Sequence, residues 1–381
     1  MKTRSFLTFL GIMLAVGAFF LYFQKSMPSA SGRPTSLQVG AILSLSGSGA
    51  SYGTPARDAI LLRAQEYNTA HNEKKVNVVF EDSRFDPAEA LSAYKSLQAR
   101  GVHHFISNGS SVAVALATPV VQSNDFLFEV AAVTPLYSDG KKNTCRLALT
   151  ADVAGEKIGQ FLMRDRQVHS VAFLTLNDEY GTSMQKNILK SIEKNNVSTH
   201  EVETFGKDET NFQTVVSKII AKQKEIDALV VIPAAGQAEG IFRNLQELGW
   251  TKKIYSDNWT IVNNNLKNRS LVEGVFFSNY DWEGTAKNND QELQKRFKEA
   301  FEKKFGYEPP VVAANAYDAF SLILDSYDQH HVSPEEMSQW IIHQKNRKGV
   351  TGVIEFNDDC ESKRDVLLQQ VKNGEFISVS W

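Results

Sequence analysis

The feature that most restricts this chain is an alternation running through most of its length. Short apolar runs end in Gly-, Ser- or Asp-containing loops, and each loop opens a helix-length segment. Runs at 39–45, 76–80, 102–106 and 126–133 alternate with helices expected from Thr54-Pro55, from Asp86-Pro87, and over 111–122. Thr54 can cap free N–H groups, and Pro55 at a first helical position loses no bond. Asp86-Pro-Ala-Glu89 reads as a capping box for a helix stopping at Gly101, while Pro119 shortens or kinks the helix that holds it. The pattern then restarts. A helix at 153–166, a strand at 168–176, a helix from Thr182 and a strand at 202–205 are followed by a helix at 211–224. A strand at 228–232, a helix at 236–248 stopped by Gly249, and a short strand at 253–255 close this half. Short apolar strands separated by helices imply parallel sheets covered on both faces. The expected fold is therefore α/β, with each half a doubly wound layer structure.

One echo links the halves. Tyr52-Gly53-Thr54 and Tyr180-Gly181-Thr182 each follow a strand and begin a helix. Ligands of open parallel sheets sit on such strand-to-helix loops, so two lobes facing each other over a cleft are one reading of the echo. A common helix-start tripeptide is the other. The tail reads differently: an apolar run at 274–280, helices at 290–305 and 311–327, and a capping box at Ser333-Pro-Glu-Glu336. Those helices have apolar faces and few strands to cover, which suits a chain returning to complete the first lobe. A strand at 352–356 and a strand pair over 366–379 end the chain.

The N-terminus argues for export. Lys2 and Arg4 precede an apolar run at 6–23, and small residues around Ala30 follow. Residues 1–30 read as a secretory signal peptide or as a retained N-terminal membrane anchor, because the run is nearly long enough to span a bilayer. The body is then periplasmic or otherwise extracytoplasmic, free or held to the inner membrane by residues 6–23. Residues 26–36, rich in Ser, Pro and Gly, form a linker.

Composition excludes several chemistries. The 381 residues carry a net charge of −3, and no basic excess favours nucleic acid. Two cysteines rule out a disulfide-dense scaffold and a four-cysteine zinc site. No phosphate loop or His-Glu-x-x-His pair occurs. The glycine loop 46–53 lacks the spacing and lysine of a nucleotide site. His103-His104 and His330-His331 are adjacent pairs, which cannot present one chelating face on a strand or helix. No catalytic residue, cofactor or metal is assigned, and nothing argues for an enzyme.

Five motifs in order carry a resemblance. They are the Ser-x-Ser-Gly loop with Tyr-Gly at 44–53, Glu81-Asp-Ser-Arg-Phe-Asp-Pro87, Asn108-Gly-Ser-Ser111, Asn177-Asp-Glu-Tyr-Gly181 and Ala316-Tyr-Asp-Ala319. Over 37–379 the chain resembles type I periplasmic binding proteins, in particular the leucine/isoleucine/valine-binding receptors of ABC importers. The resemblance implies two lobes joined by three crossing strands, lobe 1 being 37–148 and 281–352 and lobe 2 being 149–280 and 353–381. It implies an amino acid or similar small polar ligand in the cleft, hinge closure, ABC permease membrane subunits as partners, and a monomer. An anchored ligand-sensing domain that signals to a partner protein is the alternative.

Position by position, the resemblance gives Ser110 and Ser111 a ligand carboxylate to hold. Ala131 and Val133 fall where the family holds the ligand ammonium; Val133 lacks the hydroxyl used there, and Thr134 beside it carries one. Asp152 and Asp257 match acidic positions facing that ammonium. Tyr52 and Tyr180 resemble aromatic lids, with Trp259 and Trp282 as further walls. Cys145 precedes the first crossing and Cys360 follows the third, so the family's fold implies that a disulfide can join them near the hinge.

Overall fold

The computed structural model describes residues 36–71, 75–138, 141–193, 197–262, 269–280 and 290–379. Residues 1–30, the crossing expected near 281–289 and Trp282 therefore lie outside the described residues. Among the described residues, no helix is long and apolar enough to cross a membrane.

The first lobe begins with β1 (Ser36–Leu43), α1 (Ala50–Ala70), β2 (Lys75–Asp82) and α2 (Pro87–Ala99). It continues through β3 (His104–Ser107), α3 (Ser110–Gln122), β4 (Phe126–Glu129) and β5 (Thr144–Arg146). The five strands are all parallel, in the order β2-β1-β3-β4-β5. Every residue of β3 and β4 is buried, as expected for central strands with helices on both faces. Asp86 caps α2 by accepting from the N–H groups of Ala88 and Glu89, an arrangement worth about 1 kcal/mol.

Three readings of this lobe need correction. The first helix starts at Ala50, not at Thr54-Pro55, with Gly49 at its N-cap. Gly47–Gly49 forms a 3-10 turn that feeds straight into it, so Thr54 and Pro55 stand in the second turn and Thr54 caps nothing. A Cβ on Gly49 would lie 2.8 Å from the Phe85 side chain, so any larger residue at this N-cap would have to push Phe85 aside. The run 126–133 is a strand only to Glu129, and β5 was not anticipated because its three residues carry no period.

The second lobe holds α4 (Ala151–Arg164), β6 (Ser170–Leu176), α5 (Glu179–Ile192), β7 (Ser198–Phe205) and α6 (Gln213–Ala221). It goes on through β8 (Ala228–Ile232), α7 (Ala235–Glu247), β9 (Lys253–Asp257), the single turn α8 (Asn258–Ile261) and β10 (Phe276–Tyr280). Next come α9 (Gln291–Phe305), α10 (Val311–Asp328) and α11 (Pro334–Ile342), then the two-stranded ribbon β11 (Arg347–Gly349) and β12 (Gly352–Ile354). The hairpin β13 (Val366–Lys372) and β14 (Glu375–Ser378) joins the second sheet, giving β14-β13-β10-β9-β8-β6-β7. β6 to β10 are mutually parallel, whereas β13 runs antiparallel to β10.

The tail helices do return to the first lobe. The Tyr67 hydroxyl of α1 donates to Asp328 at 2.8 Å, Tyr307 donates to Asp58 at 2.8 Å, and Tyr317 donates to Glu66 at 2.5 Å. Ser333 and Glu336 complete the reciprocal capping box of α11.

Where the chain leaves β5, it pairs with a segment arriving from β12. The Arg146 N–H donates to the Cys360 carbonyl, and the Ser362 N–H donates to the Arg146 carbonyl, both at 2.9 Å. Cys145 and Cys360 form a disulfide there, with Cα atoms 4.7 Å apart. The wholly buried Arg146 guanidinium pairs with Glu361 and donates to the Thr134 carbonyl at 2.5 Å and to Ser138 at 3.0 Å.

Candidate functional site

The Tyr-Gly echo acquires a physical cause in the packing of two helix starts. Each glycine sits where the first helical turn docks onto the end of the preceding strand. A Cβ on Gly53 would lie 2.1 Å from the Ser44 carbonyl oxygen, and one on Gly181 would lie 1.9 Å from that of Leu176. No side chain fits at either position. The preceding tyrosine is thereby carried to the carboxyl ends of the strands, where open parallel sheets bind ligands.

Between the lobes lies a narrow recess with about 20 Å³ of free volume, room for about one water molecule in this arrangement of the lobes. The first lobe lines it with Tyr52, Phe85, Asn108, Gly109, Ser110 and Ala131. The second lobe contributes Tyr180, Ala234 and Trp259. Tyr52 meets Trp259 edge-on across the gap, with ring centroids 6.1 Å apart, and leans on Phe85 at 6.4 Å. Four of the nine lining residues are therefore aromatic.

Two buried carboxylates stand behind this wall. Glu129, the last residue of β4, accepts from the Gly109 N–H at 2.8 Å, the Ala131 N–H at 3.1 Å and the Ser107 hydroxyl. Burial pushes its carboxyl up to about 7, although these donors and the charge of Arg146 oppose the shift. Asp257, the last residue of β9, accepts from the Tyr180 hydroxyl at 2.7 Å and from the Thr260 N–H and hydroxyl at 3.1 and 2.9 Å. Burial raises this carboxyl too, against those same bonds, and pushes the Tyr180 hydroxyl well above the usual phenol range.

Of the residues singled out in the sequence, Tyr52, Ser110, Ala131, Tyr180 and Trp259 are brought together around the recess. The others are used elsewhere. Ser111 and Thr134 bond the lobes to each other: the Glu179 N–H donates to the Ser111 hydroxyl at 3.4 Å, and Thr134 donates to the Glu179 carboxylate at 2.6 Å. Val133 is buried, its N–H bonded to the Ser110 hydroxyl and its carbonyl to the Ala151 N–H. Asp152 is exposed in the first turn of α4 and does not line the recess. Asp257 lies behind Tyr180 rather than at the surface of the recess. Outside the recess, Lys207 and Asp86 tie the lobes together at 2.9 Å.

Sequence reasoning assigned no role to Phe85, Asn108, Gly109, Ala234 or Glu129. A usable signal existed for Glu129, a lone charge in the apolar run 126–133. Asn108 holds the Ser44 N–H through its Oδ1 at 2.8 Å, while its Nδ2 has no partner. The indole Nε1 of Trp259 is likewise buried and unpartnered. Gly109, whose φ of +104° favours glycine, is the N-cap of α3, and no side chain caps that helix start.

Two α/β lobes with an aromatic recess between their strand ends define a bilobal solute-binding protein. The periplasmic binding protein family matches residues 36–333, and the chain belongs to that family, with the type I fold. A leucine-binding protein of Thermotoga maritima superposes with a TM-score of 0.80 at 21% identity, over 90% of this chain and 98% of that one. An ABC-transporter solute-binding protein of Rhodopseudomonas palustris, in complex with 3,4-dihydroxybenzoic acid, gives 0.81 at 18% identity, over 91% and 97%. An uncharacterized protein of Methanocaldococcus jannaschii is 22% identical over 325 residues, 80% of this chain and 76% of its own length.

Proposed function

We propose that the protein is an extracytoplasmic receptor that binds an amino acid or similar small polar molecule between its lobes and presents the closed form to the permease of an ABC importer. The observation that carries this reading is the recess itself, walled from both lobes by residues at the helix starts that follow strands. Family membership supports an extracytoplasmic site of action, and the basic, then apolar, start of the chain supports export. Tyr52 and Tyr180 are the aromatic lids and Ser110 a polar contact. Ser111, Thr134 and Glu179 join the lobes in the closed state rather than touching ligand.

The energetics suffice. Micromolar binding is worth about 8 kcal/mol, and shifting a hinge from mostly open to mostly closed needs about 5.5 kcal/mol of differential affinity. A thermal-shift screen of amino acids and small carboxylates tests the reading, followed by small-angle scattering with each hit. A ligand at 100 times its dissociation constant adds about 2.7 kcal/mol of stability. The radius of gyration should fall on binding, and Tyr52→Ala and Tyr180→Ala should each weaken binding at least tenfold. A screen that yields no hit, or hits unaffected by both substitutions, removes the reading. The apolar run at 6–23 favours a second form, an anchored sensor. N-terminal sequencing of protein from cells separates the two, since a start near Ser31 leaves a free receptor.

A further inference from the structure

A second space between the lobes is far roomier than the recess. It is a groove of about 1020 Å³, and it shares no lining residue with the recess. The first lobe borders it with the start of α1, Tyr307 and Pro310, and the second with residues 207–212 and the start of α7. Its volume is at the upper end of small-molecule clefts.

This groove is supplied with acceptors that nothing in the chain satisfies. Gln237 lines it and is only 5% exposed. The Gln237 Nε2 donates to the carbonyls of Gly206, Lys207 and Glu209 at 2.9, 3.3 and 3.2 Å, which fixes the orientation of the amide. Its Oε1 is thereby left as a buried acceptor with no partner among the described residues. Ser51, from the opposite lobe, lines the groove with a buried hydroxyl that also lacks a partner. Buried acceptors without donors are uncommon and costly. Two carboxylates stand beside them. Asp208 is exposed and has no side-chain partner among the described residues, and Glu209 spends one oxygen on the Gly206 N–H at 3.0 Å.

The positive groups around the groove are largely occupied. Lys207 is held by Asp86 at 2.9 Å, and Arg243 pairs with Glu239. Helix starts favour negative charge, and α1, α6 and α7 all begin here. Part of that capacity is used locally, however. The Ala50 N–H donates to the Gly47 carbonyl, the Gln237 N–H to the Ala234 carbonyl, and the Gln213 N–H to the Asn211 side chain. What remains is a surplus of acceptors and of negative charge.

We propose that this groove binds a small organic cation that carries several N–H donors on a short apolar spine, an alkyl amine or alkylguanidine. Its donors meet Gln237 Oε1, Ser51 Oγ and the carboxylates of Asp208 and Glu209. Its methylene groups lie along Pro55, Tyr307 and Pro310. Because Ser51 and Gln237 belong to different lobes, the bound cation bridges them. This site stands apart from the recess, so the receptor reading neither supports nor depends on it.

The test is calorimetry on the whole protein at low ionic strength, with agmatine and 1,4-diaminobutane as probes and butane-1,4-diol and butanedioate as controls. Agmatine should bind about tenfold or more tightly than the diol, because charge-assisted hydrogen bonds are roughly twice as strong as neutral ones. Butanedioate should not bind. Equal binding of agmatine and the diol, or no binding of either cation, overturns the inference. Asp208→Asn combined with Glu209→Gln removes both charges and still leaves an oxygen for the Gly206 N–H. The double variant should lower agmatine affinity about tenfold, the sum of two partly exposed pairings. Should it fail to fold, Asp208→Asn alone decides, with an expected loss of about threefold. Unchanged affinity in the folded variant places the cation elsewhere and rejects the groove.

Discussion

The two lobes build their halves of the recess from the same parts and secure them differently. Each has a Tyr-Gly turn docked on a strand end and a buried carboxylate at the end of another strand, Glu129 on β4 and Asp257 on β9. In the first lobe the carboxylate fastens backbone, the N–H groups of Gly109 and Ala131, and so shapes the floor from which α3 starts. In the second it fastens a side chain, the hydroxyl of Tyr180. One lobe thus fixes a floor and the other fixes the ring proposed as a lid. An acid that matches a ligand-facing position can instead be spent on holding an aromatic side chain of the recess wall.

The shared part should carry the largest effects. Gly53→Ala and Gly181→Ala each force a methyl against a backbone carbonyl, at 2.1 and 1.9 Å, which no rotamer can relieve. Each should cost about 3 kcal/mol or more by denaturant unfolding, the range of severe overpacking. Losses of similar size would mark the turns as equivalent. A loss under about 0.5 kcal/mol in either variant would show that its turn is not docked as described.

The difference between the carboxylates should appear with pH. Folded Glu129 titrates near 7 against an ordinary 4.5, so the folded state holds the extra proton between those values. Its contribution is fully present below about pH 4.5 and is lost as pH rises through about 7. Glu129→Gln removes it, and the gap between variant and wild type should change by about 2–3 kcal/mol from pH 4.5 to pH 8. Asp178 and Asp257 are also raised by burial, so the comparison must be the difference between the two curves. Parallel curves would show that Glu129 is ionised throughout.

The alternation of strand and helix was legible because period and capping are local. Asp86-Pro87 and Ser333-Pro334 open helices through bonds within a few residues, wherever the segment is placed. The start of α1 was not legible, since a 3-10 turn at Gly47–Gly49, packed on Phe85 from another loop, leads into it ahead of Thr54-Pro55. The site divides in the same way. Tyr52 and Tyr180 could be singled out because a tripeptide repeats at equivalent loops. Asn108 and Trp259 could not, because a free donor is defined by which acceptors other segments fail to bring. The identity of Asp257 as an acid was plain, but the hydroxyl that occupies it lies on a different strand-to-helix loop.

The smallest effect isolates the lid. Tyr180→Phe keeps the ring in the recess and deletes one of the three donors to Asp257. A buried carboxylate deprived of one neutral donor should cost about 1–2 kcal/mol. Because the lost bond favours the ionised form, the Asp257 carboxyl should rise further, and the deficit should grow as pH increases. Asp257→Asn supplies the control: in its background, Tyr180→Phe should cost less, because no charge is left unmatched. A double-mutant cycle with a coupling below about 0.5 kcal/mol would mean that the hydroxyl and the carboxylate are neighbours without being a clamp. The lid would then be held by the packing of its ring alone, and the contrast between the lobes would reduce to Glu129.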